Sequence, residues 1–174
     1  MKHFHLIRLP ENDHAEFKRE MQKAFQTGYE AQFGPCEKPV LPEEDIDQSL
    51  YAGGTIAYVA RQDGAMAGGA VVRIDPESRY NHLELLFVRV GVQNRGTGQA
   101  IWNAIEELHP ETEVWETCTP YFEKRNIHFY VNRCGFQIVE FFHPGHKLPE
   151  AEEYHGGMTD EAGRYFFRFI KKMK

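Results

Sequence analysis

The chain opens on alternation. His3, Phe4, His5 and Leu6 exchange polar and apolar positions, which predicts a short strand over residues 3–9. From Asp13 the period lengthens: Phe17, Met21, Ala24 and Phe25 recur at helical spacing, Asp13 and Glu16 read as a capping box, and Gly28 reads as a stop. A helix is therefore expected over 13–27. Gly34, Pro35, Pro39 and Pro42 mark a loop over 29–41, and a second short helix follows at 43–51. Two runs rich in β-branched and small residues, 55–61 and 66–75, flank Asp63-Gly64, a strong hairpin signal. Leu83, Leu85, Leu86, Phe87 and Val88 then predict a central strand over 82–90, covered on both faces.

The second half alternates helices and strands. Ile101, Ala104, Ile105 and Leu108 stripe a helix over 97–108. A strand at 113–119, a helix at 122–134 capped by Gly135, a strand at 136–142, a polar loop at 143–163 and a last strand at 164–171 complete the pattern. This order predicts an α/β domain with a mixed sheet, spanning 1–174 as one unit, with a glycine-bearing loop between a central strand and a helix.

Composition narrows the function classes. A net charge of −6 argues against a nucleic-acid partner and suits a cationic one. No run approaches the roughly 20 apolar residues that span a bilayer, and the N-terminus lacks the apolar core of a signal peptide. Cys36, Cys118 and Cys134 are odd in number and far apart, which suggests reduced thiols and a cytoplasmic protein. The nine histidines lack His-x-x-x-His spacing, and no Cys-x-x-Cys occurs, so no metal site is expected. His128 reads as a surface residue, Cys118 as a buried structural thiol, and Trp102 and Trp115 as packing residues.

The chemistry concentrates at Gln93-Asn94-Arg95-Gly96-Thr97-Gly98. A strand that runs into a glycine turn and a helix presents unpaired N–H groups at the positive end of the helix dipole. Gly96 and Gly98 let an anion approach the backbone, Arg95 can add charge, and Gln93 and Thr97 can add hydrogen bonds. The spacing is neither Walker A nor the Rossmann fingerprint.

With this loop five residues after Val88, and a later helix that carries Tyr130 and closes on Gly135-Phe136, the chain resembles the GNAT superfamily of N-acetyltransferases. The resemblance covers residues 83–98 and 126–136 closely and the order of elements throughout. It implies a GNAT-type mixed, mostly antiparallel central sheet flanked by helices, with acetyl-CoA as cosubstrate and no metal. The pyrophosphate would lie on residues 93–98, Asn94 included. The pantetheine would run beside Val88, Arg89 and Val90, with the Val88 N–H polarising the thioester carbonyl. Asn126 resembles the family's CoA-touching asparagine.

Glu84, four residues before Val88 and on its face by strict alternation, matches the general base of histone-acetylating members. Tyr130 is the candidate acid for the leaving thiolate, although it stands five residues from Gly135 where the family has four. The acidic and aromatic segments 29–51 and 150–161 suit a small-molecule or protein amine as acceptor. Neither nucleic acid nor a membrane is expected, and a homodimer stays open. Two alternatives stay open as well: a CoA-binding regulatory module without turnover, which the Tyr130 spacing would favour, and transfer of a longer acyl group such as succinyl.

Overall fold

The computed structural model describes residues 3–93, 95–149 and 162–173. In chain order the elements are β1 (Phe4–Arg8), α1 (His14–Phe33), α2 (Glu43–Leu50), β2 (Thr55–Gln62), β3 (Ala65–Arg73), β4 (Tyr80–Val88), α3 (Thr97–Leu108), β5 (Val114–Pro120), α4 (Lys124–His128), β6 (Gln137–Phe142) and β7 (Phe166–Lys172). A π turn over Phe129–Arg133 prolongs α4. The strands form a seven-stranded sheet in the order β1-β2-β3-β4-β5-β7-β6. Each pairing is antiparallel except β4 with β5. Among the described residues no helix is long and apolar enough to cross a membrane.

Two cores sandwich the sheet. On one face Trp102 and Ile105 of α3 pack with Trp115, Tyr130, Phe136 and Phe169, the Trp102 and Trp115 rings meeting edge to face at 5.2 Å. On the other face Phe17 and Met21 of α1 and Ile46 of α2 pack with Val59, Val71 and Phe87. Lys18 bridges the two helices of that layer through Glu43 at 2.8 Å and Asp47 at 3.0 Å. Gly69 is required where α1 meets the sheet: a Cβ there would stand 2.4 Å from Phe17 Cε2 and 2.6 Å from the Tyr58 carbonyl oxygen. The hairpin turn follows its dipeptide, with Asp63 and Gly64 both at positive φ, 52° and 83°.

Three local expectations are corrected. First, α1 does not stop at Gly28; it runs to Phe33 and closes at Gly34, whose φ is 84°. Beyond the glycine, Tyr29 is buried and its ring lies 5.5 Å from that of Phe122, an anchor that outweighs the roughly 1 kcal/mol of a helical glycine. Second, the Asp13 side chain makes no capping hydrogen bond and is drawn instead into an ion pair with Arg61 of β2. Third, β4 does not alternate strictly. Val71 pairs with Leu85 while Val72 pairs with Leu83, so Glu84 is the extra residue of a β-bulge. Leu83 lies in the α3-side core and Leu85 in the α1-side core, after which Leu86 and Val88 return to the α3 side.

Candidate active site

The parallel pair β4 and β5 is short. Tyr80, Asn81 and His82 face Val114, Trp115 and Glu116, and no register continues beyond them. The strands then diverge, and Thr117 reaches across only by its side chain, whose hydroxyl donates to the Leu83 carbonyl at 3.0 Å. The divergence leaves two adjoining cavities of about 410 and 420 Å³. The first lies between α2, β4 and β5; the second lies between the end of β4, the start of α3, and α4. Phe25, Leu86, Glu123 and Asn126 line both, so the cavities meet there.

The second cavity is a groove that ends on the α3 N-terminus. Gly96 caps this helix at φ 78°, a left-handed conformation that favours glycine, and no side chain caps the helix. The first helical bond runs from the Ala100 N–H to the Gly96 carbonyl, so the amides of Thr97, Gly98 and Gln99 precede the helical ladder. Thr97 is buried in the groove wall, and its Oγ1 has no hydrogen-bond partner. Arg125 and Arg133 bring positive charge to the opposite wall, where His128 also lies. Uncapped amides, an orphaned hydroxyl and facing cations form a donor set suited to a pyrophosphate.

The extra residue after Tyr130 has a structural outlet. The Cys134 N–H reaches back five residues to the Phe129 carbonyl at 3.0 Å, and the Phe136 N–H reaches six residues back to Tyr130 at 2.9 Å. A π turn thus absorbs the insertion before Gly135 ends the helix at φ 85°. Tyr130 therefore points inward: it is 6% exposed, its ring lies 5.5 Å from that of Phe136, and it lines the first cavity. Burial pushes its phenol well above the ordinary value of 10, a hydrogen bond with Thr117 only partly opposing this, so the group stays protonated at neutral pH.

The first cavity is rich in carboxylates. Asp45, Glu84, Glu116 and Glu123 line it, against the basic side chains Arg73 and His82. Glu116 is the most tightly held. Its Oε1 accepts from the Tyr80 hydroxyl at 2.5 Å and from Arg168 Nη1 at 3.1 Å, and its Oε2 lies 3.2 Å from His82 Nδ1. Burial alone would raise this carboxyl, but the His82 and Tyr80 hydrogen bonds and the charges around it hold it at about 2. Glu84 Oε1 is buried and ion-paired with Arg73 Nη2 at 3.3 Å, without a hydrogen bond. Glu123 is lifted above the usual carboxylate range by burial, against a smaller opposing pull from Arg125.

The expected residues divide clearly. Val88, Gln93, Gly96, Thr97 and Gly98 line the groove, Glu84 and Tyr130 line the first cavity, and Asn126 lines both. The Gln93 amide folds back to donate to the Val88 carbonyl at 3.3 Å, bracing the loop against the strand end. Arg89, Val90 and Arg95 line neither cavity. Arg89 is engaged with Glu20 at 3.5 Å, and its own N–H donates to the Ala67 carbonyl. Arg95 is exposed, and Asn94 lies outside the described residues, as do the acidic positions 150–161. Glu84 does not share the face of Val88, because the bulge turns it toward Arg73. Cys118 is half-buried in the first cavity rather than hidden in the core. His128 lines the groove, with its Nδ1 2.8 Å from Asn132 Nδ2. Sequence reasoning missed Glu116, His82 and Glu123, whose shared surroundings arise only when β4, β5 and the α4 entry meet.

Comparison with known proteins agrees with this fold. The model of the Acetyltransferase (GNAT) family matches residues 18–136. The uncharacterized protein YrkN of Bacillus subtilis (strain 168) is 43% identical over 169 residues, covering 94% of this chain and 90% of that one. The ribosomal-protein-S18-alanine N-acetyltransferase of Escherichia coli superposes with a TM-score of 0.73 at 14% identity, covering 98% of this chain and 94% of that one. A spermidine N-acetyltransferase of Vibrio cholerae, solved with CoA and spermine, gives 0.70 at 10% identity, covering 99% and 96%. A GNAT family acetyltransferase of Elizabethkingia anophelis with acetyl-CoA bound gives 0.69 at 12%, covering 99% and 100%. With a family model matched across the glycine loop and the Tyr130 helix, and a fold shared over nearly its whole length, the chain belongs to the GNAT acetyltransferase family.

Proposed function

We propose that this protein transfers an acetyl group from acetyl-CoA to an amine by direct attack while both are bound. The observation that carries the reading is the gap between β4 and β5: it opens at one end on the uncapped start of α3 and holds the buried Tyr130. In this reading the amides of Thr97, Gly98 and Gln99 and the Thr97 hydroxyl receive the pyrophosphate, with Arg125 and Arg133 balancing its charge. The pantetheine follows the β4 edge at Val88. Because the Arg89 N–H points to β3, the Val88 N–H points the other way, into the gap, where it can polarise the thioester carbonyl. Tyr130 donates its proton to the departing sulfur.

The amine enters through the first cavity, whose four carboxylates suit a cation. Glu84, whose buried Oε1 is ion-paired with Arg73 but accepts no hydrogen bond, is the carboxylate that receives the ammonium group of the acceptor. The acidic excess and the spread of the cavity favour a small-molecule amine or a flexible amino terminus. That no disulfide joins the three cysteines suits a reducing, cytoplasmic setting.

The test is thiol release from acetyl-CoA over a panel of amines, with product masses, repeated in competition with succinyl-CoA. Saturable thiol release with an acetylated amine supports the reading. Saturable CoA binding with no acylated amine would mark a binding module, and preferential use of the longer donor would replace acetyl.

A further inference from the structure

Resting on that reading, we infer that Glu123, rather than the β4 glutamate, is the group that takes the proton from the attacking amine. Among the described residues it is the only ionisable side chain that lines both cavities, and so stands where the amine and the thioester meet. Its position is built by its neighbours. Glu123 ends the turn after β5, its N–H bonded to the Pro120 carbonyl at 3.1 Å, and its own carbonyl accepts the first α4 bond, from Ile127 at 3.0 Å. Its Oε1 faces α1 at Gly28, where a Cβ would stand 3.6 Å away, so α1 closes over the carboxylate with its smallest residue. Seven residues on, two helical turns along the same segment, Tyr130 lies close enough to register the charge of Glu123.

The surroundings suit the task. Burial raises the Glu123 carboxyl above its ordinary range, which makes it a stronger base than an exposed glutamate and brings it nearer to working pH. Arg125, beside it in α4, limits the rise. The other ionisable groups on the cavity walls are Arg73 from β3, Glu84 and His82 from β4, Glu116 and Cys118 from β5, Asp45 from α2, Tyr130, and His128 and Arg133 on the groove side. From α1 the walls receive Ala24, Phe25 and Gly28, none of which titrates. Glu84 and Glu116 each have a cationic partner already, at 3.3 and 3.1 Å.

The step balances without a further reagent. The acceptor ammonium first loses one proton to solvent; the neutral amine then attacks the thioester carbon, a C–N bond forms and the C–S bond breaks. One N–H proton passes to the Glu123 carboxylate and the Tyr130 phenol proton passes to sulfur. Glu123 then returns its proton to the Tyr130 phenolate through solvent in the cavity, restoring both groups.

The experiment is a pH–rate profile of full-length Glu123→Gln and Glu84→Gln against wild type, with one acceptor amine and CoA affinity measured alongside. The expected result is a fall in kcat of about 100-fold for E123Q, with CoA affinity and the Michaelis constant for the amine held within a few-fold and the acidic limb of the profile lost. E84Q is expected to raise the Michaelis constant for the amine and keep that limb. Wild-type turnover and an unchanged limb in E123Q would overturn the inference, as would a loss confined to CoA affinity, and both outcomes leave acetyl transfer standing. Absence of turnover in wild type would overturn the functional reading and this inference together.

Discussion

His82 and Glu116 are opposite each other twice: they form the last rung of the parallel β4–β5 pairing, and their side chains meet at 3.2 Å, Nδ1 to Oε2. The gap that forms the site begins one residue later. Backbone pairing and a charged contact thus pin the strands at the point where they part, and Arg168 of β7 closes the arrangement from the other side of β5.

That contact sets a pH dependence of stability. The Glu116 carboxyl is held at about 2 in the fold against an ordinary 4.5. A depressed folded-state value gives stability that is complete above the ordinary value and is lost as pH falls from about 4.5 toward 2. Its full size is roughly 3 kcal/mol at most. Urea unfolding across pH 7 to 2.5 should show wild type losing stability in that window, while Glu116→Gln is weaker at pH 7 and flatter below 4.5. Parallel curves would assign the acid sensitivity to other carboxylates.

CoA and acetyl-CoA should raise the melting temperature, because each would bind the folded state alone. At a concentration 100 times its Kd, such a ligand adds about 2.7 kcal/mol. NAD and ATP should shift the midpoint far less. A larger shift with either nucleotide would contradict the assignment of the α3 groove to CoA.

Tyr130→Phe should keep the fold, since the ring contacts remain and the Thr117 hydroxyl keeps the Leu83 carbonyl as its acceptor. Turnover should fall by about 100-fold or more, with the Michaelis constant for acetyl-CoA nearly unchanged. Steady-state kinetics decide this, and unaltered turnover would leave Tyr130 a core residue.

Gly96→Val should show two separable losses. A β-branched residue at φ 78° costs stability, about 1–2 kcal/mol for the left-handed backbone. CoA affinity of the protein that remains folded, read by calorimetry, should drop more than tenfold as the side chain crowds the uncapped amides. Affinity equal to wild type would make this glycine a backbone requirement only.

Deleting Asn132, which is exposed within the π turn, should return the segment to a regular α-helix with the glycine four positions after Tyr130. Circular dichroism should show a folded protein, and activity should stay within about tenfold of wild type if the π turn only absorbs an insertion. Loss of activity with the fold intact would mean that the π turn itself aims Tyr130.

Most of the architecture is legible in the pattern of residues alone. The stripe of Ile101 and Ile105 places α3, and Asp63-Gly64 places its hairpin, because each signal is local and unopposed. Where local signals fail, a tertiary contact overrules them. Gly28 cannot end α1 against the packing of Tyr29, and Asp13 leaves its capping role for Arg61. The glycine loop and Tyr130 are legible because each sits at a spacing tied to one element. Glu84 misleads because its bulge depends on the pairing of β4 with β3, which strict alternation does not encode. Glu116 and Glu123 stay hidden in the sequence because the significance of each comes from chains of contact between distant segments.

The three-rung join between β4 and β5 also divides the molecule into two unequal leaves, β1 to β4 and β5 to β7. Each leaf is knitted internally by longer antiparallel ladders, so the join is the seam along which thermal opening should be easiest. A pantetheine laid into it would stitch the leaves together where the polypeptide does not. Amide hydrogen exchange would then slow on both flanks of the seam at once when CoA is added, making the cosubstrate a mechanical fastener of the enzyme as well as the source of its acyl group.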